Sequence, residues 1–91
     1  MLRLNCFFRA KEGKLAGALA AAKELTAASL KQDGCIAYDV FRSATREDVL
    51  LICETWRDEQ ALAAHSASEP FVRCVAAINA CGEMKIEKFQ F

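Results

Sequence analysis

The chain has 91 residues, of which 54% are apolar or aromatic, and 12 basic and 12 acidic side chains give it a net charge of zero. This length predicts one domain over residues 1–91, and the absence of a basic cluster argues against a nucleic-acid or anionic-membrane partner. Because there is no membrane-length apolar run and no signal-peptide layout at the N-terminus, we expect a soluble cytoplasmic protein.

The first part of the chain has the pattern of a strand followed by a helix. Residues 2–10 alternate between apolar and polar positions, which is the period of a strand. From Lys14 onward the chain is rich in Ala, Leu, Lys and Glu, and its leucines recur at helical spacing. We predict a helix of about five turns that ends at Asp33 and Gly34, because Gly readily adopts the left-handed conformation that closes a helix.

The middle of the chain is typical of a β-hairpin. Segments 35–43 and 49–56 are rich in β-branched and aromatic residues, and a polar loop joins them. The second segment is apolar at every position from Val49 to Cys53, although a strand with one face in water should alternate. We therefore expect both faces of the sheet to be covered, one by helices and the other by a second copy of the chain in a homodimer.

The last third predicts two short helices and a final strand. Asp58 and Ser68 are suitable N-caps for the two helices, and Gly82 follows the second. In the final strand the apolar positions change parity between Ile86 and Phe89, which indicates either a bulge or a segment that serves two surfaces. The resulting order β-α-β-β-α-α-β predicts an α+β, ferredoxin-like domain with a four-stranded antiparallel sheet.

The five cysteines give no sign of a metal site or of a disulfide framework. Their number is odd, and no C-x-x-C or C-x-x-H pair occurs. Each cysteine lies in an apolar stretch, where a thiol packs as a small apolar side chain. We predict that the protein holds no metal.

The candidate functional residues include three types that occur once each, namely His65, Trp56 and Tyr38. Histidine is the one side chain whose unperturbed pKa lies near neutrality, which suits it to proton transfer. The predicted topology brings the three together at one end of the layer between helices and sheet, with Glu54 on the same strand face as Trp56. The alternative is purely structural, with His65 as a packing residue and Trp56 as part of the core.

Two further polar residues have alternative interpretations. Glu54 is flanked by apolar residues and could serve the site or form an ion pair with Arg42 or Arg57. Asn5 is a polar residue on an otherwise apolar strand, so its amide could bind a ligand or pair at a sheet edge.

The spacing of these residues resembles the antibiotic biosynthesis monooxygenase family. The chain carries a G-x-x-x-Y strand from Gly34, the pattern E-x-W-x-D-x-x-A-L from Glu54, a histidine at His65 and an aromatic residue, Phe71, that opens the next helix. The resemblance covers essentially the whole chain. It implies a dimeric α+β barrel, in which two ferredoxin-like sheets face each other and each subunit has a pocket between sheet and helices.

The resemblance also implies a chemistry, which is cofactor-independent oxidation of a small quinol- or anthrone-like hydroxyaromatic by O2. A base deprotonates the ligand, its anion passes an electron to O2, and recombination with loss of water gives a quinone. The implied base or anion stabiliser is His65, Tyr38 and Asn5 would donate hydrogen bonds, and Trp56 and Phe71 would form cavity walls. The implied substrate-binding residues are Asn5, Tyr38, Glu54, Trp56 and Phe71.

Other branches of the family leave alternatives open. An isomerase of a small phosphorylated diketone is similar in the pattern D-E-x-A-x-A-x-H over residues 58–65, although its phosphate would require paired Arg or Lys side chains. A haem-degrading branch expects a histidine where this chain has Cys74 and Val75. A third alternative is a non-catalytic, dimeric ligand-binding module. RNA binding would require exposed aromatic residues on the third strand, whereas segment 49–56 is apolar and acidic.

Overall fold

The computed structural model describes residues 1–91 as one four-stranded sheet with three helices. The elements in chain order are β1 (Leu2–Ala10), α1 (Leu15–Ser29), β2 (Cys35–Arg42), β3 (Val49–Trp56), α2 (Glu59–Ser66), α3 (Glu69–Asn79) and β4 (Gly82–Gln90). All neighbouring strands are antiparallel, in the spatial order β2-β3-β1-β4. The predicted α+β, ferredoxin-like architecture is confirmed.

The core lies between the helices and one face of the sheet. Even-numbered residues from Leu2 to Ala10 are buried on this face, and they join a single cluster of 16 buried residues that includes Leu25 of α1 and Ile78 of α3. The odd-numbered residues of β1 lie on the opposite side, which we call the outer face. None of the three helices combines the length and the apolar character that a membrane span requires.

The outer face carries an uncovered row of apolar side chains across three strands. Phe7 of β1 is opposite Leu51 of β3, and Leu51 is in turn opposite Phe41 of β2. The two phenylalanines are 41% and 48% exposed, respectively, because no helix packs on this side. We call Phe7, Leu51 and Phe41 the outer apolar row. Burial of Leu51 is incomplete, so the apolar run of β3 is only partly explained within one chain.

The two predicted helix caps are confirmed. The carboxylate of Asp58 accepts a hydrogen bond from the Ala61 N–H at 2.8 Å, and the hydroxyl of Ser68 accepts one from the Phe71 N–H at 3.4 Å. Each cap satisfies a backbone N–H that has no partner within its helix. These caps fix the starts of α2 and α3, and α2 places His65 over the sheet.

The predicted end of the first helix is wrong by several residues. The helix α1 ends at Ser29, and turns occupy the residues that follow. Gly34 does have a positive φ of 81°, but it closes the turn before β2 rather than the helix itself. A side chain at Gly34 would also collide with Cβ of Ala61, so the glycine permits α2 to approach this turn.

The change of parity in the last strand does not come from a bulge. The pairing of β4 with β1 is continuous, with Ile86 opposite Cys6 on the helix side and Phe89 opposite Arg3 on the outer face. The strand therefore serves two surfaces, as the second sequence-based interpretation proposed. The register shift of the sheet lies instead in β2, between Cys35 and Ala37.

Candidate active site

A small apolar cavity lies between the helices and the sheet, with a volume of about 150 Å³. Its lining contains four polar residues, Tyr38, Glu54, His65 and Ser66. Tyr38, Glu54 and His65 are buried, whereas Ser66 and Ile86, which also line the cavity, are exposed. The exposed residues place the opening of the cavity between the end of α2 and β4, and we call the part lined by the three buried polar side chains its inner end. The apolar lining residues are Leu4, Cys6, Leu25, Ile52, Leu62, Phe71, Val75, Ile78, Met84 and Ile86.

His65 lines this cavity and carries one unprotonated ring nitrogen. Its Nδ1 lies 2.7 Å from Oε1 of Gln32, and because an amide oxygen can only accept, Nδ1 carries the ring proton and donates it. The other nitrogen, Nε2, is then a lone-pair acceptor. It is buried without a hydrogen-bond partner, and it lies 3.9 Å from Oε1 of Glu54. A buried acceptor without a partner is unusual and is suited to a ligand that brings a donor.

The orientation of the Gln32 amide follows from a second contact. Ser68 Oγ donates to the backbone oxygen of His65 at 2.6 Å, so its own hydrogen is already used. It can therefore only accept from Nε2 of Gln32, at 3.1 Å, which leaves Oε1 of Gln32 toward the imidazole. This chain of hydrogen bonds fixes the tautomer of His65.

Aromatic rings hold the imidazole plane in place. Trp56 packs against His65 in a tilted arrangement, with ring centroids 4.4 Å apart and an interplanar angle of 36°, and Phe71 meets the imidazole edge-on at 5.0 Å. Phe71 lines the cavity, as predicted. Trp56 does not, so the prediction of Trp56 as a cavity wall is wrong. The indole is completely buried behind His65, and it acts on the site through its contacts with the imidazole and with Glu54.

Glu54 is a buried residue beside the cavity and does not form a surface ion pair. Its Oε1 accepts from the indole Nε1–H of Trp56 at 2.9 Å, and its Oε2 accepts from Sγ–H of Cys6 at 3.7 Å. Burial raises the pKa of Glu54, although the surrounding donors oppose this shift. The predicted pairing with Arg42 or Arg57 is wrong, because Arg57 bonds aspartates at the surface instead.

The structure brings Tyr38 to the cavity but not Asn5. Tyr38 is buried, lines the cavity, and has its ring centroid 5.7 Å from that of His65. Burial, together with the nearby carboxylate of Glu54, raises the pKa of Tyr38, so its hydroxyl remains a neutral donor. Asn5 occupies an odd position of β1 and lies on the outer face. The predicted grouping of Asn5 with the cavity residues is therefore wrong, since the sheet separates them.

The sequence patterns gave no indication that Gln32 belongs to the candidate site. Gln32 lies in the turn after α1, a segment that the sequence predicted to be the polar end of a helix. Its contact with His65 on α2 depends on the conformation of that turn, which no periodicity reveals.

No group of three or more His, Cys, Asp or Glu side chains is arranged as metal ligands would be.

Burial of His65 should make the stability of the protein depend on pH. Burial lowers the pKa of His65 to about 4, against about 6.5 in an unfolded chain. Between these values the unfolded chain binds the proton and the folded protein does not. We therefore expect the free energy of unfolding to fall as pH drops from about 6.5 to about 4, by on the order of 3 kcal/mol from this group.

Urea titrations of the wild type and of His65→Leu at pH 7 and pH 4.5 measure this contribution. The decrease in the free energy of unfolding should be smaller in the variant, because leucine does not titrate. Equal decreases in both proteins would contradict a buried, neutral imidazole.

The chain is similar to known proteins in both sequence and structure. The family model described as antibiotic biosynthesis monooxygenase matches residues 1–77. One relative is YcnE of Bacillus subtilis (strain 168), which carries a provisional description as a monooxygenase. It is 29% identical over 76 residues, which are 84% of this chain and 80% of YcnE.

Solved structures share the whole fold. A conserved protein of unknown function from Bacteroides thetaiotaomicron VPI-5482, described as a possible oxidoreductase, is 53% identical with a TM-score of 0.96, and the match covers 99% of this chain and 96% of that one. A mutant of SnoaB, a cofactor-independent oxygenase from Streptomyces nogalater, matches with a TM-score of 0.88 at 17% identity, over 99% and 91% of the two chains. At that identity the likeness to SnoaB concerns the fold alone.

Proposed function

The chain belongs to the antibiotic biosynthesis monooxygenase family, and on this premise we propose that it oxidises a neutral hydroxyaromatic compound with O2, without a metal or organic cofactor. The observation that carries the proposal is the unpartnered Nε2 of His65, a residue that lines an apolar cavity. A ligand hydroxyl supplies the donor that this lone pair lacks, while the apolar walls bind the ring.

In the first step His65 acts as the general base. Its pKa of about 4 keeps the imidazole neutral at pH 7, so the Nε2 lone pair is free to accept the hydroxyl proton. The resulting imidazolium lies beside Oε1 of Glu54, 3.9 Å away, and next to the ligand anion. The pKa of about 4 already includes the effect of Glu54, so the attraction that favours proton transfer is the one between the imidazolium and the ligand anion in a water-poor cavity. Tyr38 stabilises the ligand oxygen by donating a hydrogen bond.

The ligand anion itself supplies the electrons in the remaining steps. It transfers one electron to O2, the two radicals recombine at a ring carbon, and loss of water leaves a quinone. One oxygen atom enters the product, and the other leaves as water with the hydroxyl hydrogen and the ring hydrogen. The ring thus gives up four electrons, which match the reduction of O2. Exclusion of bulk water protects the reactive intermediates.

The competing isomerase activity lacks a recognition group in the cavity. A phosphorylated diketone carries negative charge, and no Lys or Arg lines the cavity that could pair with it. The uncharged lining therefore favours a neutral aromatic ligand over a phosphorylated one.

Oxygen-electrode measurements with metal-stripped protein test the proposal. With a phenol or hydroquinone as substrate, we expect one O2 to be consumed for each quinone formed. Turnover of a phosphorylated diketone without O2 uptake would overturn the proposal in favour of the isomerase. Saturable binding with neither reaction would overturn it in favour of a binding module.

The proposed functional form is a homodimer in which two outer faces pack together. The outer apolar row is the support for this form, because two of its three side chains are large, aromatic and exposed in the single chain. Pairing the row with its copy around a two-fold axis would remove this apolar surface from water.

The hydrogen bond from His65 to Gln32 should matter to the rate more than to ligand affinity. Gln32→Leu removes the acceptor of the Nδ1 proton, so the imidazole can adopt the other tautomer. One lost hydrogen bond of this kind corresponds to about 1–2 kcal/mol, or roughly a tenfold lower kcat, with KM changed by less than about twofold. Gln60→Leu is the control, since Gln60 is exposed on α2. Equal kcat values for the two variants would contradict this role.

A further inference from the structure

The size of the cavity restricts the ligand more narrowly than the proposed reaction does. We infer that the cavity accepts one hydroxylated six-membered aromatic ring and rejects fused polycyclic compounds. Its volume of about 150 Å³ equals that of an engineered apolar cavity that binds benzene, whereas drug-sized ligands occupy about 300–1,000 Å³. The inference rests on the proposed function for the fate of the ligand, but it concerns binding and can be tested without turnover.

The polarity of the lining sets the orientation of that ring. Tyr38, Glu54 and His65 are the buried polar residues of the lining, and its other buried or half-buried residues are apolar. A single hydroxyl therefore binds at the inner end, where Nε2 of His65 requires a donor. A second polar substituent would meet water only at the opening beside Ile86, so it fits best on the side of the ring opposite the hydroxyl.

The walls leave little room for a second ring. Leu25 and Ile78 line the cavity and are each only 1% exposed, so they belong to the close-packed core and cannot move aside cheaply. Val75 of α3 also lines the cavity but is only partly buried. Shortening Val75 should therefore enlarge the cavity at a lower cost in stability than shortening Leu25 or Ile78.

Anaerobic binding of phenol, 2-naphthol and 2-hydroxyanthracene, followed by NMR chemical shifts, tests the inference. Apolar area alone would tighten binding with every added ring. We expect the opposite order, with 2-naphthol bound at least about tenfold more weakly than phenol and no saturable binding of the tricycle, because a larger ring system would have to displace close-packed walls. Affinity that rises along the series, or no binding of phenol, would overturn the inference.

Matched variants on α3 keep the test independent of folding defects. Val75→Ala should strengthen 2-naphthol binding at least about fivefold, and Val72→Ala should not change it, because Val72 is 59% exposed and does not line the cavity. Equal effects of the two substitutions would overturn the inference. Phenol binding without O2 uptake in air would leave the inference standing and remove the oxygenase proposal. O2 uptake with the tricycle but not with phenol would overturn the inference and leave the oxygenase proposal standing.

Discussion

Replacing His65 with Gln should lower the rate of O2 consumption by about two to four powers of ten, which is the usual contribution of a general base. Glutamine keeps a polar group near Gln32 but offers no basic lone pair at the inner end of the cavity. The oxygen electrode gives kcat and KM for the wild type and the variant, and circular dichroism checks that both are folded. Glu59→Gln is the control, because Glu59 is exposed on α2 and pairs with Lys88 at the surface.

The pH profile separates a base from a residue that only shapes the cavity. Because the free protein holds the pKa of His65 at about 4, kcat/KM of the wild type should stay constant from pH 8 to about pH 5 and fall below that value. A loss of activity already centred near pH 6.5 would contradict a buried base. Full activity of the His65→Gln variant would contradict any role of His65 in proton transfer.

Replacing Leu51 with Arg should dissociate the proposed homodimer. Leu51 is the middle residue of the outer apolar row, between Phe7 and Phe41. In a two-fold dimer an arginine there would be buried close to its own copy, and such like-charge contacts cost several kcal/mol. We expect the dissociation constant to rise at least about 100-fold. Sedimentation equilibrium at micromolar concentration measures it.

The control for this prediction introduces the same charge elsewhere. Val72→Arg also replaces an exposed apolar side chain, but Val72 lies on α3, away from the outer face, so the variant should remain dimeric. A monomeric wild type would contradict the proposed interface, as would two variants that stay equally dimeric.

Most of the fold could be predicted from local patterns because each pattern has a direct physical cause. Alternation in residues 2–10 reflects one covered sheet face, and the capping side chains of Asp58 and Ser68 satisfy free backbone N–H groups. The end of α1 was less predictable. Gly34 has the left-handed conformation expected of it, but it serves a turn whose shape depends on the approach of α2.

The candidate site could be predicted only in part. Topology brought Tyr38, Glu54, His65 and Phe71 to one cavity, because strand parity and helical spacing determine which face a side chain takes. The same parity places Asn5 on the outer face, so this error could have been avoided from the sequence.

Two further features of the site depend on tertiary packing. The position of Trp56 behind His65, rather than in the cavity wall, is set by how the rings pack. The contact between Gln32 and His65 joins a turn to a helix 33 positions away. Hydrophobic patterns carry no information about such polar pairs, because the partners share neither a face nor a period.

The proposed mechanism requires that His65 is neutral at pH 7, with its proton on Nδ1 and a free lone pair on Nε2. Since the chain has a single histidine, ¹⁵N NMR of protein labelled at histidine shows the two ring nitrogens of this residue alone. We expect a protonated Nδ1, an unprotonated Nε2, a pKa of about 4, and a change at Nε2 when phenol binds. A proton on Nε2 at pH 7, or titration near pH 6.5 as in an exposed histidine, would contradict it.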